Sequence, residues 1–307
     1  MVPAIAYFGP SGTFTEMALE QLLTENPSFG DDGDVARVSA TSPGRVIELV
    51  RQGEVAYGCV PIESSVEGSV PATLDALIKG SRVQIFAETV LDIAFTLATR
   101  GPMASSDITT IAAYPVASAQ VRETLERDYP GAQLVTSGSN SAAAQDVVEG
   151  RADAAITTPL SVRLYGLHAL ATGVADSDEA NTRFVLVGRP GPVPPRTGRD
   201  RTSVTLDLPN VPGSLMAAMY EFATRGIDLT RIESRPRREP GGFFFNLDVV
   251  GHLDDPPIAE ALGALHRRAT AMHFLGSWPS ARPNGTPPPS HQQSDQWLES
   301  IRQGLDR

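Results

Sequence analysis

The chain has 307 residues, room for about two domains, and its 41% hydrophobic content is enough for packed cores. Its 36 acidic against 25 basic side chains leave a formal charge of -11. That balance argues against a general nucleic-acid or anionic-membrane partner, which needs a basic face, so an anionic ligand has to be attracted by local groups.

In chain order, 5–8 reads as a short buried strand, broken by Gly9-Pro10-Ser11-Gly12. Thr13 then caps a helix, with Glu16 as the fourth residue of a capping box. A glycine-rich strand-to-helix turn leaves backbone N–H groups pointing outward as an anion site, although it lacks the lysine of a P-loop and any dinucleotide fingerprint. The apolar run at the start has no charged leader and ends at Gly9-Pro10, and no uncharged apolar run approaches the roughly 20 residues that span a bilayer. The expected location is cytoplasmic.

Strand patterns follow at 35–38, 57–60, 83–86, 93–97, 134–135 and 154–156. Helical patterns cover 43–51, the region of Leu74 and Leu77, a segment carrying Gln120, Val121 and Leu125, a segment capped at 139–141 and running through Val148, and one starting at Pro159. The single cysteine, Cys59, lies inside the strand at 57–60, so no intrachain disulfide is possible and the thiol reads as packing. This alternation predicts an α/β sheet with helices on both faces and a ligand crevice at the strand-end loops 9–13, 61–68, 113–115, 139–141 and 181–184.

The last of these loops, Asn181-Thr182-Arg183-Phe184, opens the buried strand 185–187. Alternation puts Thr182 and Phe184 on one face and Arg183 on the other. Arg183 can grip a carboxylate with two parallel hydrogen bonds, and Thr182 can donate to an oxygen. The competing reading makes Arg183 an ordinary ion pair and Phe184 core.

The proline-rich stretch 188–198 continues neither sheet nor helix and marks a stiff linker. Beyond it, Val204, Leu206 and Leu208 alternate, and Leu215, Met219 and Phe222 recur at helical spacing. Strands at 229–235 and 243–250 are joined by 236–242, a second helix carries Ile258, Leu262 and Leu265, and 274–278 is a last strand. The order βαββαβ is ferredoxin-like. From Pro279 the chain reads as mostly disordered, although Trp297, Leu298, Ile301 and Leu305 have the spacing of a short helix. The five histidines show no metal-ligand spacing.

In combination these motifs resemble the bacterial monofunctional prephenate dehydratases with a C-terminal ACT regulatory domain. The resemblance rests on residues 9–16, 60–65, Gln120, Ser141-Ala142-Ala143, Thr182-Arg183-Phe184, 210–215 and 233–236. It implies a two-lobed, type II periplasmic-binding-protein-like catalytic domain over 1–188, a linker over 189–200, an ACT domain over 201–278 and a tail over 279–307. It further implies loss of water and CO2 from prephenate to give phenylpyruvate, with no cofactor and no metal. Thr182, Arg183 and Phe184 are then catalytic, and Ser11, Thr13, Glu63, Ser64, Gln120 and Ser141 bind substrate. L-phenylalanine is the implied effector, held by Asn210, Pro212, Gly213, Ser214, Leu215, Glu233, Ser234 and Arg235 in a homodimer or homotetramer built through ACT domains. Ser64 stands where the family commonly has Asn, and Ala113-Tyr114-Pro115 where it has Ser-His-Pro. The alternatives are an arogenate dehydratase and a non-catalytic amino-acid sensor.

Overall fold

The computed structural model describes residues 4–30, 35–177, 179–237, 242–283 and 285–305, so the tip of the expected loop 236–242 lies outside the described residues. The chain divides into two compact units, Met1–Ala76 with Thr89–Arg189, and Leu77–Glu88 with Pro190–Arg307. It is a mixed α/β structure throughout. No described helix is long and apolar enough to cross a membrane.

The first unit begins with β1 (Ala4–Phe8), α1 (Phe14–Glu25), β2 (Ala36–Ala40), α2 (Pro43–Gln52), β3 (Tyr57–Ser64) and β4 (Gly68–Ser69). Next come α3 (Pro71–Ile78) and β5 (Gln84–Asp92), each carrying residues of both units. A second sheet is built through β6 (Thr96–Thr99), β7 (Thr110–Ala113), α4 (Pro115–Gln120), α5 (Arg122–Asp128), β8 (Gln133–Thr136), α6 (Asn140–Val148), β9 (Ala154–Thr157), α7 (Pro159–Tyr165) and β10 (His168–Thr172). The chain then returns to the first sheet as β11 (Asn181–Gly188). The sheets run β2-β1-β3-β11-β5, with β4 beside β3, and β10-β6-β9-β7-β8. Two sheets therefore stand where the strand pattern alone predicted one.

The central strands are buried on both faces, which is why they read as continuous apolar runs rather than alternating ones. Cys59, Val60 and Ile62 on β3 and Val185, Leu186 and Val187 on β11 are fully buried. Burial pushes the Cys59 thiol well above its usual range, in keeping with a packing role. On α2, Ser42 caps by accepting from Arg45 N, Pro43 opens the first turn and Gly53 ends the helix at φ 73°, so Val46, Ile47, Leu49 and Val50 face the sheet. Each such side chain contributes about 1.5–3 kcal/mol by leaving water.

Several boundaries differ from the sequence reading. The strands expected at 83–86 and 93–97 are instead a long β5 and a short β6, with Ile93–Phe95 as the crossing between sheets. The helix expected through Gln120 and Leu125 breaks at Val121 into α4 and α5. Asp176 holds the break: its carboxylate accepts from Glu123 N and Thr124 N at 3.0 and 2.9 Å, and its own N–H donates to the Gln120 carbonyl. Strand β10 had no clear pattern.

The second unit comprises β12 (Asp200–Asp207), α8 (Ser214–Ala223), β13 (Leu229–Pro236), β14 (Phe243–Val250), α9 (Pro256–Arg268), β15 (Ala271–Pro279) and α10 (Gln292–Arg302). The order βαββαβ appears as read, in an antiparallel sheet β13-β14-β12-β15. Val204, Leu206, Leu247 and Val249 pack against Phe222 of α8 and Ile258, Leu262 and Leu265 of α9. The buried carboxylate of Glu88 accepts from Arg201 Nε, Trp278 Nε1, Ser280 Oγ and Ala281 N at 3.0–3.1 Å.

Several described residues of the 279–305 stretch bond to other residues of the second unit. Besides Ser280 and Ala281 on Glu88, Thr286 N donates to Asp228, and Pro289 lies against Gly226. The tail thus finds carboxylates for its N–H groups, and α10 follows with its apolar side chains exposed. The proline-rich linker is also fixed, by His252 Nε2 against the Pro194 carbonyl at 2.9 Å and by Arg196 on Asp255 at 2.6 Å.

Candidate active site

A cleft of about 510 Å3 opens in the first unit, lined among others by Phe8, Pro10, Thr13, Thr41, Pro61, Tyr114, Ser139, Asn140 and Phe184. Each of the five strand-end loops contributes at least one of these residues. No Asp, Glu, Lys or Arg is among the described residues that line it. Four helices nevertheless start at this wall: α1 after Thr13, α2 two residues beyond Thr41, α4 after Tyr114 and α6 after Ser139. Helix N-termini carry partial positive charge and unpaired N–H groups, so they favour an anion in a protein whose net charge repels one.

The 9–13 turn is wired differently from a capping box. Thr13 makes no side-chain cap; its hydroxyl donates toward the carbonyls of Pro10 at 3.0 Å and Phe8 at 3.3 Å. Glu16 reaches back past the cap and accepts from Gly12 N at 2.7 Å and Ser11 Oγ at 2.8 Å. That carboxylate occupies groups the anion-site expectation left open. Ser11 therefore bonds Glu16 and is not among the lining residues. Glu16 also faces Arg37 at 3.4 Å.

The two sheets of this unit meet at Gly12. Thr158 Oγ1 and Ser161 Oγ donate to its carbonyl at 2.5 and 2.9 Å, and the fully buried Ser141 donates to the Ser11 carbonyl. Gly12 has φ +88°, and a Cβ there would collide with the hydroxyls of Ser161 and Ser141. Only glycine suits both the backbone and the approach.

On β11, Thr182 pairs with Ser64, Arg183 with Glu63, and Phe184 with Pro61. The extra residue, Ile62, belongs to β3, so β11 keeps its own alternation and Thr182 shares the face of the buried, cleft-lining Phe184. Arg183 turns to the other side, where Nε and Nη2 donate to Glu63 Oε2 at 3.2 and 2.8 Å. The Ser64 hydroxyl accepts from Val66 N and Glu67 N, which makes it a turn residue. Gln120, half-buried at the end of α4, lies in a separate groove with Val66, Asp176 and Ala180. Among the described residues no three His, Cys, Asp or Glu side chains gather to hold a metal ion.

Sequence reasoning assigned no role to Tyr114 or Asn140, although both stand in loops it marked for the crevice. Which of three consecutive residues faces the cleft depends on the helix phase, and one Ser-Asn-Ser run does not display it.

In the second unit, Asn210–Leu215 lie at the turn into α8 and Glu233–Arg235 on β13. Asp207 of β12 and Arg235 of β13 both pair with Phe244, so the two segments leave the sheet at the same end.

Comparison with known proteins identifies the lineage. A family model described as prephenate dehydratase matches residues 5–192. A prephenate dehydratase of Mycolicibacterium vanbaalenii is 53% identical over 310 residues, 99% of this chain and 99% of its own. The chain belongs to the prephenate dehydratase family. Enzymes of that name remove water from prephenate, and the lyase assignment follows. A solved prephenate dehydratase of Arthrobacter aurescens, in complex with L-Phe, is 38% identical, with TM-score 0.86, over 98% of this chain and 99% of its own. GqqA, a quorum-quenching acylase, is 27% identical, with TM-score 0.79, over 90% of this chain and 98% of its own. The same fold thus carries different activities, and the high identity along the whole chain is what selects the dehydratase.

Proposed function

We propose that the cleft converts prephenate to phenylpyruvate with loss of water and CO2, as a step of phenylalanine synthesis, and that the second unit is an ACT-type domain answering L-phenylalanine. Whole-length kinship with prephenate dehydratases carries the reading. The cleft supports it, because a dianion suits a wall of helix N-termini and hydroxyls. The two sheets of the first unit act as two lobes, like a type II periplasmic binding protein, with substrate between them.

Aromatisation of the ring drives the elimination, so the reaction calls for no cofactor or metal. The difficult event is departure of the ring hydroxyl. Thr182 stabilises the leaving oxygen by hydrogen bonding rather than by full proton transfer, since an alcohol is a weak acid. Phe184 packs on the ring, and Arg183 with Glu63 sets the charge behind it. The amino analogue, arogenate, carries an ammonium group, and the described lining residues include no carboxylate to meet it. The keto acid is therefore the preferred substrate.

Incubation of the purified chain with prephenate, followed by alkali, is expected to give phenylpyruvate absorbance, with arogenate turned over more slowly. Absence of product from both acids would leave the sensor reading in its place. Exposed apolar residues on the second unit, including Val211, Met216, Tyr220 and Ile232, suit assembly of a homodimer or homotetramer through that unit.

A further inference from the structure

Tyr114 lines the cleft from the junction between β7 and α4, with its backbone held and its side chain free. Its carbonyl accepts from Ser118 N at 2.9 Å, and Pro115 opens α4 directly after it. The side chain caps nothing, is 36% exposed, and its phenol hydroxyl has no hydrogen-bond partner among the described residues. Several other hydroxyls of the lining are committed. Thr13 donates to the Pro10 carbonyl, Ser39 bonds Tyr7, and Ser139 accepts from Ala142 N. Thr15 and Thr41 also line the cleft, but both are short alcohols. A phenol reaches further, and its more acidic O–H makes it the stronger donor.

We infer that Tyr114 holds substrate, its phenol donating a hydrogen bond to the carboxylate of the pyruvyl side chain. This rests on the prephenate reading. The two carboxylates of prephenate have opposite fates. The one on the ring leaves as CO2: its bond to the ring breaks, the electron pair moves into the ring, and the hydroxyl departs from the opposite ring carbon. A strong donor fixed on that carboxylate would stabilise a charge that has to vanish, and so oppose the reaction. The side-chain carboxylate keeps its charge throughout, so a donor there anchors ground state and transition state alike. The lining separates the two ends in the same way. Phe8, Pro10, Phe14, Pro61 and Phe184 all belong to the first sheet and its loops and give the ring an apolar wall, whereas Tyr114 comes from the second sheet.

Phenylpyruvate keeps the side-chain carboxylate and has lost the ring carboxylate and hydroxyl, so its binding reads the same contact in isolation. In the full-length chain, Tyr114→Phe removes one oxygen and keeps the ring. The expected result is a rise of about 10-fold in both the KM for prephenate and the inhibition constant of phenylpyruvate, with kcat unchanged to within about twofold. Denaturant melts of the two proteins should coincide, because the lost hydroxyl has no partner among the described residues. A higher KM with unchanged phenylpyruvate inhibition would put the phenol on the ring carboxylate, and the inference would be wrong. A fall in kcat alone would put it on the leaving hydroxyl and overturn it equally. Wild-type protein inert toward prephenate sinks the reaction reading and this inference with it, whereas active wild type with an indifferent variant sinks the inference alone.

Discussion

Arg183 and Glu63 form one electrostatic unit. The guanidinium is 6% exposed and the carboxylate 38%, and two donors of the first meet a single oxygen of the second. Removing Glu63 takes a carboxylate from a nearly buried guanidinium, and removing Arg183 takes that cation from the carboxylate. Arg183→Gln is expected to lower kcat/KM by about 10–150-fold. Glu63→Gln should cost a similar factor, and the double variant should be little worse than the worse single one. Losses that multiply would show two independent roles. Thr182 presents the opposite case, a hydroxyl with no partner among the described residues. Thr182→Ala is expected to reduce kcat by about 10²–10³ with a much smaller change in KM, and retention of most of kcat would remove it from the chemistry. Both residues were legible as a strand-mouth motif. Their different surroundings were not, because the partner of Arg183 lies 120 positions away along the chain and is set by strand pairing. Gln120 shows the same limit: its motif points to the cleft, but Asp176 holds it at the rim of another groove.

At the scale of elements, hydrophobic pattern located most strands and helices, and misjudged those fixed by distant carboxylates. The break between α4 and α5 depends on Asp176, and Glu88 and Asp228 accept hydrogen bonds from Ala281 N and Thr286 N of the tail. Asp153 is another such tie, joining β7 to β9. Its Oδ2 accepts from the N–H and hydroxyl groups of Thr109 and Thr110 at 2.7–2.9 Å. Hydrogen bonding to the Thr109 side chain, then to its backbone, holds the Asp153 carboxyl at about 2 against an ordinary 3.8. The folded value is the lower one, so the stabilisation is full above about pH 4 and fades as pH falls through about 2. Allowing for solvent screening of a partly exposed group, Asp153→Asn is expected to destabilise the neutral protein by about 1–2 kcal/mol. The gap between variant and wild type in denaturant melts should close as pH approaches 2. A gap independent of pH would mean that the loss comes from packing or geometry instead.

At the scale of the whole molecule, the boundary between units does not follow the simple chain order that the sequence suggested. Leu77–Glu88 belongs with the later residues. Val83 and Ile85 are buried, Glu88 bonds Arg201 and Trp278, and a Cβ at Gly276 would strike the Ile85 carbonyl. A chain cut after Gly188 would bare that segment, so regulation is better tested in the intact chain. There, phenylalanine is expected to shift prephenate KM or kcat by a factor of about 5–150, the usual range for coupling between sites. Gly213 is the residue on which to test the route. It opens α8 at φ 83° with no side-chain cap, which leaves the start of the helix open to a ligand carboxylate. A Cβ there meets nothing within 4 Å, so Gly213→Val acts through the backbone, which a β-branched residue cannot hold at positive φ without strain. The variant should retain kcat and KM measured without phenylalanine and lose the response to it. Ser234→Ala, on an exposed position of β13, should weaken the response without altering the basal rate. Calorimetry of phenylalanine binding to the three full-length proteins reads the same order directly. If wild type neither binds phenylalanine nor changes its rate or assembly with it, the second unit is not a phenylalanine-responsive domain, and the dehydratase assignment stands without it.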